Sequence, residues 1–289
     1  CMWTEFCNVP EDVFYMTFPR LAALAEIAWV QKGKKDWNEF LKGVDNFNKH
    51  LEQKGIIYAR SMYNIQHEVT SEESGKLKVK LECERPDVEI RYTLDGTEPV
   101  ETSALYDSAF VVDKDAEIKA ATFVKGIQMG KTLNLPIHWN MAKPIIGASK
   151  EMGILVNGLR GSLKQSDFEW YTGGLSKPIS FVVDLLKPQQ IKRVTVGCIT
   201  NYGMAVHKPR MIKIEVSDDN KTFKEVGRLT FTDNEIFKEG NFIEDLSVET
   251  DDIIGHYVKF TLETPGNCPN DHVRPGQASR VYIDEVIIE

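Results

Sequence analysis

The feature that most limits what this chain can fold into is a change of hydrophobic period near residue 61. Before that point apolar residues return every three or four positions; after it they alternate with polar ones. A period near 3.6 lays one stripe of a helix against a core, whereas a period of two describes a strand with one wet face. The chain therefore joins a helical segment to a longer β-rich one.

In the first segment Phe14, Phe18, Leu21, Leu24, Ala25 and Ala28 form one stripe, which predicts a helix over 11–29 facing a core. Pro19 lies inside that stretch and should bend or restart the helix, because it lacks the amide hydrogen and crowds the preceding turn. Asp36, with Glu39 three positions on in capping-box spacing, predicts the start of a second helix, and Gly55 its end. Its apolar face is Phe40, Leu41, Val44, Phe47 and Leu51. Two helices and the short apolar strand at the front cannot enclose a core of their own, so this segment must pack on something else.

In the β-rich part "KLKVKLECE" alternates Leu77, Val79, Leu81 and Cys83 with charged residues. "EIRYTLDGTEP" follows, with Asp95-Gly96 read as a hairpin turn, and then "AEIKAATFVKG" and "TLNLPIHWNM". These strands predict a small sandwich of immunoglobulin or fibronectin type over 61–142. From 143 to 289, "ISFVVDL", "IKRVTVGCI", "MIKIEVS", "YVKFTLE" and "RVYIDEVIIE" read as separate strands, with a turn at "SDDNKTF". Longer loops point there to a larger jelly-roll sandwich.

Composition narrows the partners. A net charge of -8 argues against nucleic acid, because phosphate binding needs clustered Lys and Arg. No apolar run approaches the ~20 residues that span a bilayer. The five cysteines are scattered and read as free thiols, and the six histidines show no metal-ligand spacing.

With these regions in place, Tyr15-Met16-Thr17-Phe18-Pro19-Arg20-Leu21-Ala22-Ala23-Leu24-Ala25-Glu26-Ile27-Ala28-Trp29, after Trp3-Thr4-Glu5, resembles the end of the catalytic barrel of family 20 glycoside hydrolases, the β-N-acetylhexosaminidases. The run from Tyr92 to Pro99, with Leu105-Tyr106 and Ile118-Lys119-Ala120, resembles the chitobiase and hexosaminidase C-terminal domain. Leu155 to Gly158, Val182 to Leu185, Ile214 to Phe223 and Ile283 to Val286 resemble the coagulation-factor C or discoidin domain, shared with family 32 carbohydrate-binding modules. The resemblance implies a mainly β chain: a short helical remnant of a (β/α)8 barrel over 1–60, a fibronectin-like sandwich over 61–142, and a discoidin-like sandwich over 143–289.

It also implies roles. The family removes terminal N-acetylhexosamine by substrate-assisted hydrolysis, using an adjacent Asp-Glu pair on an earlier barrel strand. Glu11-Asp12, Asp251-Asp252 and Asp284-Glu285 do not fit that context, so the chain alone is expected to be inert, with the missing barrel of the same polypeptide as its first partner. Trp3 would stack on the sugar and Glu5 would accept hydrogen bonds from its hydroxyls. In the third region Trp170, Tyr171 and Tyr202 are candidates to stack on a sugar, and His207, Asn267, His272 and Arg274 to hydrogen-bond it. The opposing reading makes Trp170 a plug and the polar residues loop solvation. No cofactor is expected for catalysis; a structural calcium would use Asn157 and Glu285. Glycans ending in N-acetylhexosamine or galactose are the expected ligands, and a periplasmic, cell-surface or secreted location follows from the substrate class. The alternative is that both β domains only brace the barrel.

Overall fold

The computed structural model describes residues 4–5, 7–142, 144–147, 149–173 and 177–289. The predicted first helix is two helices, α1 (Pro10–Thr17) and α2 (Arg20–Trp29). The restart falls at Pro19, which supplies no amide to carry the ladder across. The Asp12 carboxylate accepts the Asn8 and Val9 amides at 2.8 and 3.3 Å and so satisfies the open start of α1. The expected core-facing stripe is not packed: neither helix has a buried residue, and Leu24, Ile27 and Trp29 are 61, 63 and 87% exposed. The period shows which face is apolar, but among the described residues little covers it beyond Phe47, whose ring meets that of Phe18 with centroids 5.6 Å apart.

The third helix, α3 (Trp37–Gln53), is placed differently. Asp36 caps it by accepting the Glu39 amide at 2.9 Å, while the Glu39 side chain turns to Lys42. Gly55 takes φ +65° and ends it, with the Ile56 amide returning to the Leu51 carbonyl at 2.9 Å. Leu41, Val44 and Leu51 are buried. Arg85, itself buried, reaches Asp45 of α3 with two bonds of 2.8 and 2.9 Å and lies over the Tyr63 ring, so this helix is clamped to the body that follows.

That body contains β1 (Ile65–Ser71), β2 (Leu77–Cys83), β3 (Glu89–Thr93), β4 (Ala104–Leu105), β5 (Phe110–Val112), β6 (Ala116–Val124), β7 (Ile127–Gln128) and β8 (Leu133–Ile137). One sheet runs β1-β2-β5 and the other β4-β3-β6-β7, with β8 also on β6. Val69, Leu77, Val79 and Leu81 from the first sheet meet Ile118, Ala120, Leu135 and Ile137 from the second in one core. The Asp95-Gly96 turn is not the tip of a two-residue hairpin, because β3 pairs with β4 ten residues on and with β6. Instead the Asp95 carboxylate accepts the Thr97 amide and hydroxyl, and the Gly96 amide donates to Glu117 of β6.

The third body has β9 (Ile179–Asn201), β10 (Met211–Ser217), β11 (Lys224–Thr230), the short α4 (Asp233–Ile236), β12 (Asn241–Glu263) and β13 (Ile283–Ile288). The strand order is β11-β10-β12-β9-β13. Two stretches read as separate strands, "ISFVVDL" and "IKRVTVGCI", are one 23-residue strand, β9, and β12 is equally long. Both bend together. Residues 179–184 pair with 257–262 and residues 189–201 with 241–255, with register breaks between. Leu186 and Asp252, at φ +66° and +50°, sit in the two corners. The bend carries Phe181, Phe260, Ile212 and Ile214 across from Val194, Val196, Leu246 and Val286 into one core. The Phe181 and Phe260 rings stack at 4.8 Å. The chain is therefore mainly β, with its helices confined to the front.

Candidate functional site

The loops at one end of the third body bring together five of the seven predicted ligand residues. Residues 202–204 make a short turn, and Ala205 takes φ +55° to redirect the chain so that His207 points inward. The Tyr202 ring lies on the His272 ring with centroids 3.9 Å apart, and Phe237 packs on His207 at 5.0 Å. Arg274 ties the two loops by donating from Nε to the Gly203 carbonyl at 2.6 Å.

The two histidines do not reach solvent. His207 and His272 are 0 and 4% exposed, which corrects their expected role as hydrogen-bonding groups for a sugar. Their protons can be placed by donor and acceptor count. The Arg274 amide donates to His272 Nδ1 at 2.9 Å, so neutral His272 carries its proton on Nε2. That proton points at His207 Nε2, 3.2 Å away, which leaves the His207 proton on Nδ1. His207 Nδ1 is buried with no hydrogen-bond partner among the described residues, the Ile236 backbone lying near it but outside bonding geometry. Burial, then the neighbouring His272, pull the His207 pKa down to about 4; burial also lowers that of His272. Both rings are neutral at pH 7.

Cys268 completes a grouping that the sequence analysis did not find. One donor atom from each of His207, Cys268 and His272 lies within 4.8 Å of the others, although the residues come from loops 65 positions apart. Nitrogen and sulfur donors of this kind suit zinc. The hydrogen-bond pattern does not: His272 Nδ1 accepts an amide hydrogen, so the Nε2 facing the group is protonated and has no lone pair for a metal. The three residues form a buried group that holds the loops, with the His207–His272 bond at its centre.

What remains open to solvent at this end is the half-buried Tyr202, the half-buried Arg274 and the exposed Asn267, with Met204 and Val273 46 and 65% exposed beside them. An aromatic face beside a guanidinium and an amide can hold a ring with an apolar face and polar rim. Trp170 and Tyr171 belong elsewhere. Trp170 is 6% exposed, packs on Ile199 and Val206, and donates its indole hydrogen to the Ser162 carbonyl at 2.9 Å. It is a plug, as the opposing reading had it. Tyr171 exchanges both backbone bonds with Ile283.

Asn157 and Glu285 meet at the joint between the two β bodies, and both are buried. Glu285 accepts the Asn140 amide at 3.1 Å and the Gly158 amide at 3.0 Å; Asn157 Oδ1 accepts the Leu159 amide at 2.9 Å. Gly158 has φ +78°, and a Cβ there would stand 2.9 Å from the His138 carbonyl, so only glycine fits. These hard oxygen donors suit calcium in kind. Asp284 beside them accepts from Arg160 at 2.9 Å, and Asp245 holds the same guanidinium. Burial disfavours the Arg160 charge, but these two carboxylates outweigh it and raise its pKa.

Of the front-end pair, Glu5 is exposed in a turn, and Trp3 lies outside the described residues. Acidic neighbours elsewhere are committed: Asp12 to the start of α1, Asp284 and Glu285 to the interior.

Comparison with known proteins matches residues 1–32 to the catalytic domain of glycosyl hydrolase family 20. Residues 70–134 match the chitobiase/β-hexosaminidase C-terminal domain. A β-hexosaminidase of Porphyromonas gingivalis is 29% identical over 147 residues, covering 47% of this chain and 18% of that protein. The chain thus spans under a fifth of the length of this curated relative. Among solved structures, CpGH89CBM32-6 of Clostridium perfringens is 18% identical with a TM-score of 0.32, covering 50% of this chain and 90% of that one. The C-terminal domain of a chitobiase from Bacteroides fragilis is 15% identical with a TM-score of 0.28, covering 45% and 76%. With part of a family 20 catalytic domain followed by a chitobiase/β-hexosaminidase C-terminal domain, the chain is a homologue of the β-hexosaminidases.

Proposed function

We propose that this chain serves a β-N-acetylhexosaminidase, which removes terminal N-acetylhexosamine from glycans with the substrate's acetamido oxygen as nucleophile. The observation that carries this is the order of two matched domains along one chain, catalytic at 1–32 and C-terminal at 70–134. The bare apolar faces of α1 and α2 support it: they are surface that a catalytic barrel would cover. In that setting Trp3 stacks on the sugar and Glu5 accepts from its hydroxyls. The acid and the acetamido-orienting carboxylate belong to the barrel, since Asp12, Asp284 and Glu285 of the chain's own acidic pairs are used structurally.

The third body, on this reading, holds a glycan ending in N-acetylhexosamine or galactose with Tyr202, Arg274 and Asn267. Calcium at Asn157 and Glu285 would stiffen the end of the third body that faces the second by tying β13 to the 157–159 segment. No helix is long and apolar enough to cross a membrane. Glycan substrates place the protein in the periplasm, at the cell surface or outside the cell.

The second reading, that both β bodies only brace the barrel, draws on the burial of Trp170, His207 and His272. Two experiments separate them. A chromogenic N-acetylglucosaminide should be cleaved only when the chain is joined to its barrel; turnover by the 289 residues alone contradicts the assignment of catalysis. Glycan-array binding, with calcium and with chelator, should be lost in Tyr202→Ala; an empty array in both conditions leaves the bracing reading standing.

A further inference from the structure

A cleft of about 590 Å³ lies between the two β bodies, away from the Tyr202 loops. Its walls are β1 on one side and the segments at 153–159 and 168–169 on the other. Every residue from Gln66 to Ser71 lines it. Successive side chains of a strand point to opposite faces, so a run of consecutive lining residues means that the cleft lies along the strand's edge. β1 is the outer strand of its sheet, paired only with β2, and among the described residues no backbone bond joins its other edge to another segment. The cleft therefore offers a row of backbone donors and acceptors.

Three further observations point to the same class of ligand. Phe168 stands at the mouth with 94% of its surface exposed, an aromatic face with nothing against it. Ser71 Oγ, in the lining, is buried without a hydrogen-bond partner. The floor is apolar, from Ile145, Val156 and Leu159, while three carboxylates, Glu68, Glu82 and Glu169, outnumber Lys80 and His67 around it, Lys80 lying 2.5 Å from Glu82 and His67 3.7 Å from Glu169. An excess of carboxylates rejects phosphate, sulfate and acidic sugars. A ligand with an apolar ring face, hydroxyls and amides, and no negative charge satisfies all of these groups at once. We infer that this cleft is a second saccharide site, for two to three uncharged or amino-sugar rings, running along the edge of β1 with Phe168 stacked on one ring.

The inference rests on the reading that the protein works on glycans, and the test keeps the two apart. The isotopically labelled full chain is titrated with the β-1,4-linked trisaccharide of N-acetylglucosamine, following amide shifts. Shifts at 66–71 and 153–159, weakened about fivefold in Phe168→Ala and unchanged in Tyr202→Ala, are the expected result. Thr70→Trp, which fills the cleft from an exposed position, should abolish them. Shifts confined to Tyr202, Asn267 and Arg274 would overturn the second site and leave the glycan reading intact. No shift in either region, repeated with galactose, would overturn both.

Discussion

The helical front and the third body carry the same kind of sequence signal and put it to opposite ends. In both, apolar residues recur with the period of their secondary structure. In the third body that period ends in a closed interior, where Phe260, Ile212 and Ile214 have no measurable exposure. In α1 and α2 it ends in solvent, with Trp29 87% exposed. The difference teaches that periodicity reports which face wants burial and is silent about who supplies the cover. In the third body β9 and β12 supply it by bending over themselves; at the front the described residues do not, and the barrel proposed above would.

The sharpest way to break this comparison is to truncate one residue on each side. Phe260→Ala should cost about 3–5 kcal/mol in a denaturant titration, because it removes a stacked ring from a closed core. Leu24→Ala in α2 should cost less than about 0.5 kcal/mol. A large loss at Leu24 would mean that α2 is covered in solution, most simply by a second copy, and sedimentation would reveal it.

Next in size is Asp284→Asn. It leaves the partly buried Arg160 with Asp245 as its remaining carboxylate and should destabilise the third body by about 3 kcal/mol, measured the same way. The pH dependence has a comparable ceiling. A histidine held near pKa 4 when folded, against about 6.5 unfolded, is protonated first in the unfolded state, so stability is whole above about pH 6.5 and falls as the pH drops toward 4. The loss is at most on the order of 3 kcal/mol and should vanish in His207→Phe, if that variant folds; an unchanged slope would place the titration elsewhere. The smallest effect sharpens the picture at the front: Asp36→Ala, which removes the cap of α3, should cost about 1 kcal/mol, read from helical circular dichroism during melting.

How much of this was legible in advance follows from how local each cause is. The alternation of Leu77, Val79 and Leu81 is a property of seven adjacent residues and appears in the structure as written. So do the break at Pro19 and the cap at Asp36, each made within a few residues. The first half of β12 was missed because its acids interrupt the pattern, and Asp252 among them forms a corner of the bent strand. The burial of Trp170 depends on Ile199 and Val206, and the His207–Cys268–His272 grouping on loops far apart in sequence. Nothing near any of those residues announces the contact. The expectations for Trp3 and Glu5 rest on motif resemblance alone, since nothing local distinguishes a surface acid that meets a ligand from one that meets water.

The joint around Glu285 bears on the order in which the protein is made. The carboxylate that fixes Asn140 and the Gly158 amide comes 145 and 127 residues after them. A ribosome delivers residues in sequence, so the second body is complete and free to fold while the clasp that will orient its neighbour has yet to be synthesised. Until β13 emerges the two bodies lack this clasp, so the last contact that fixes their geometry, and that of the cleft between them, is made late.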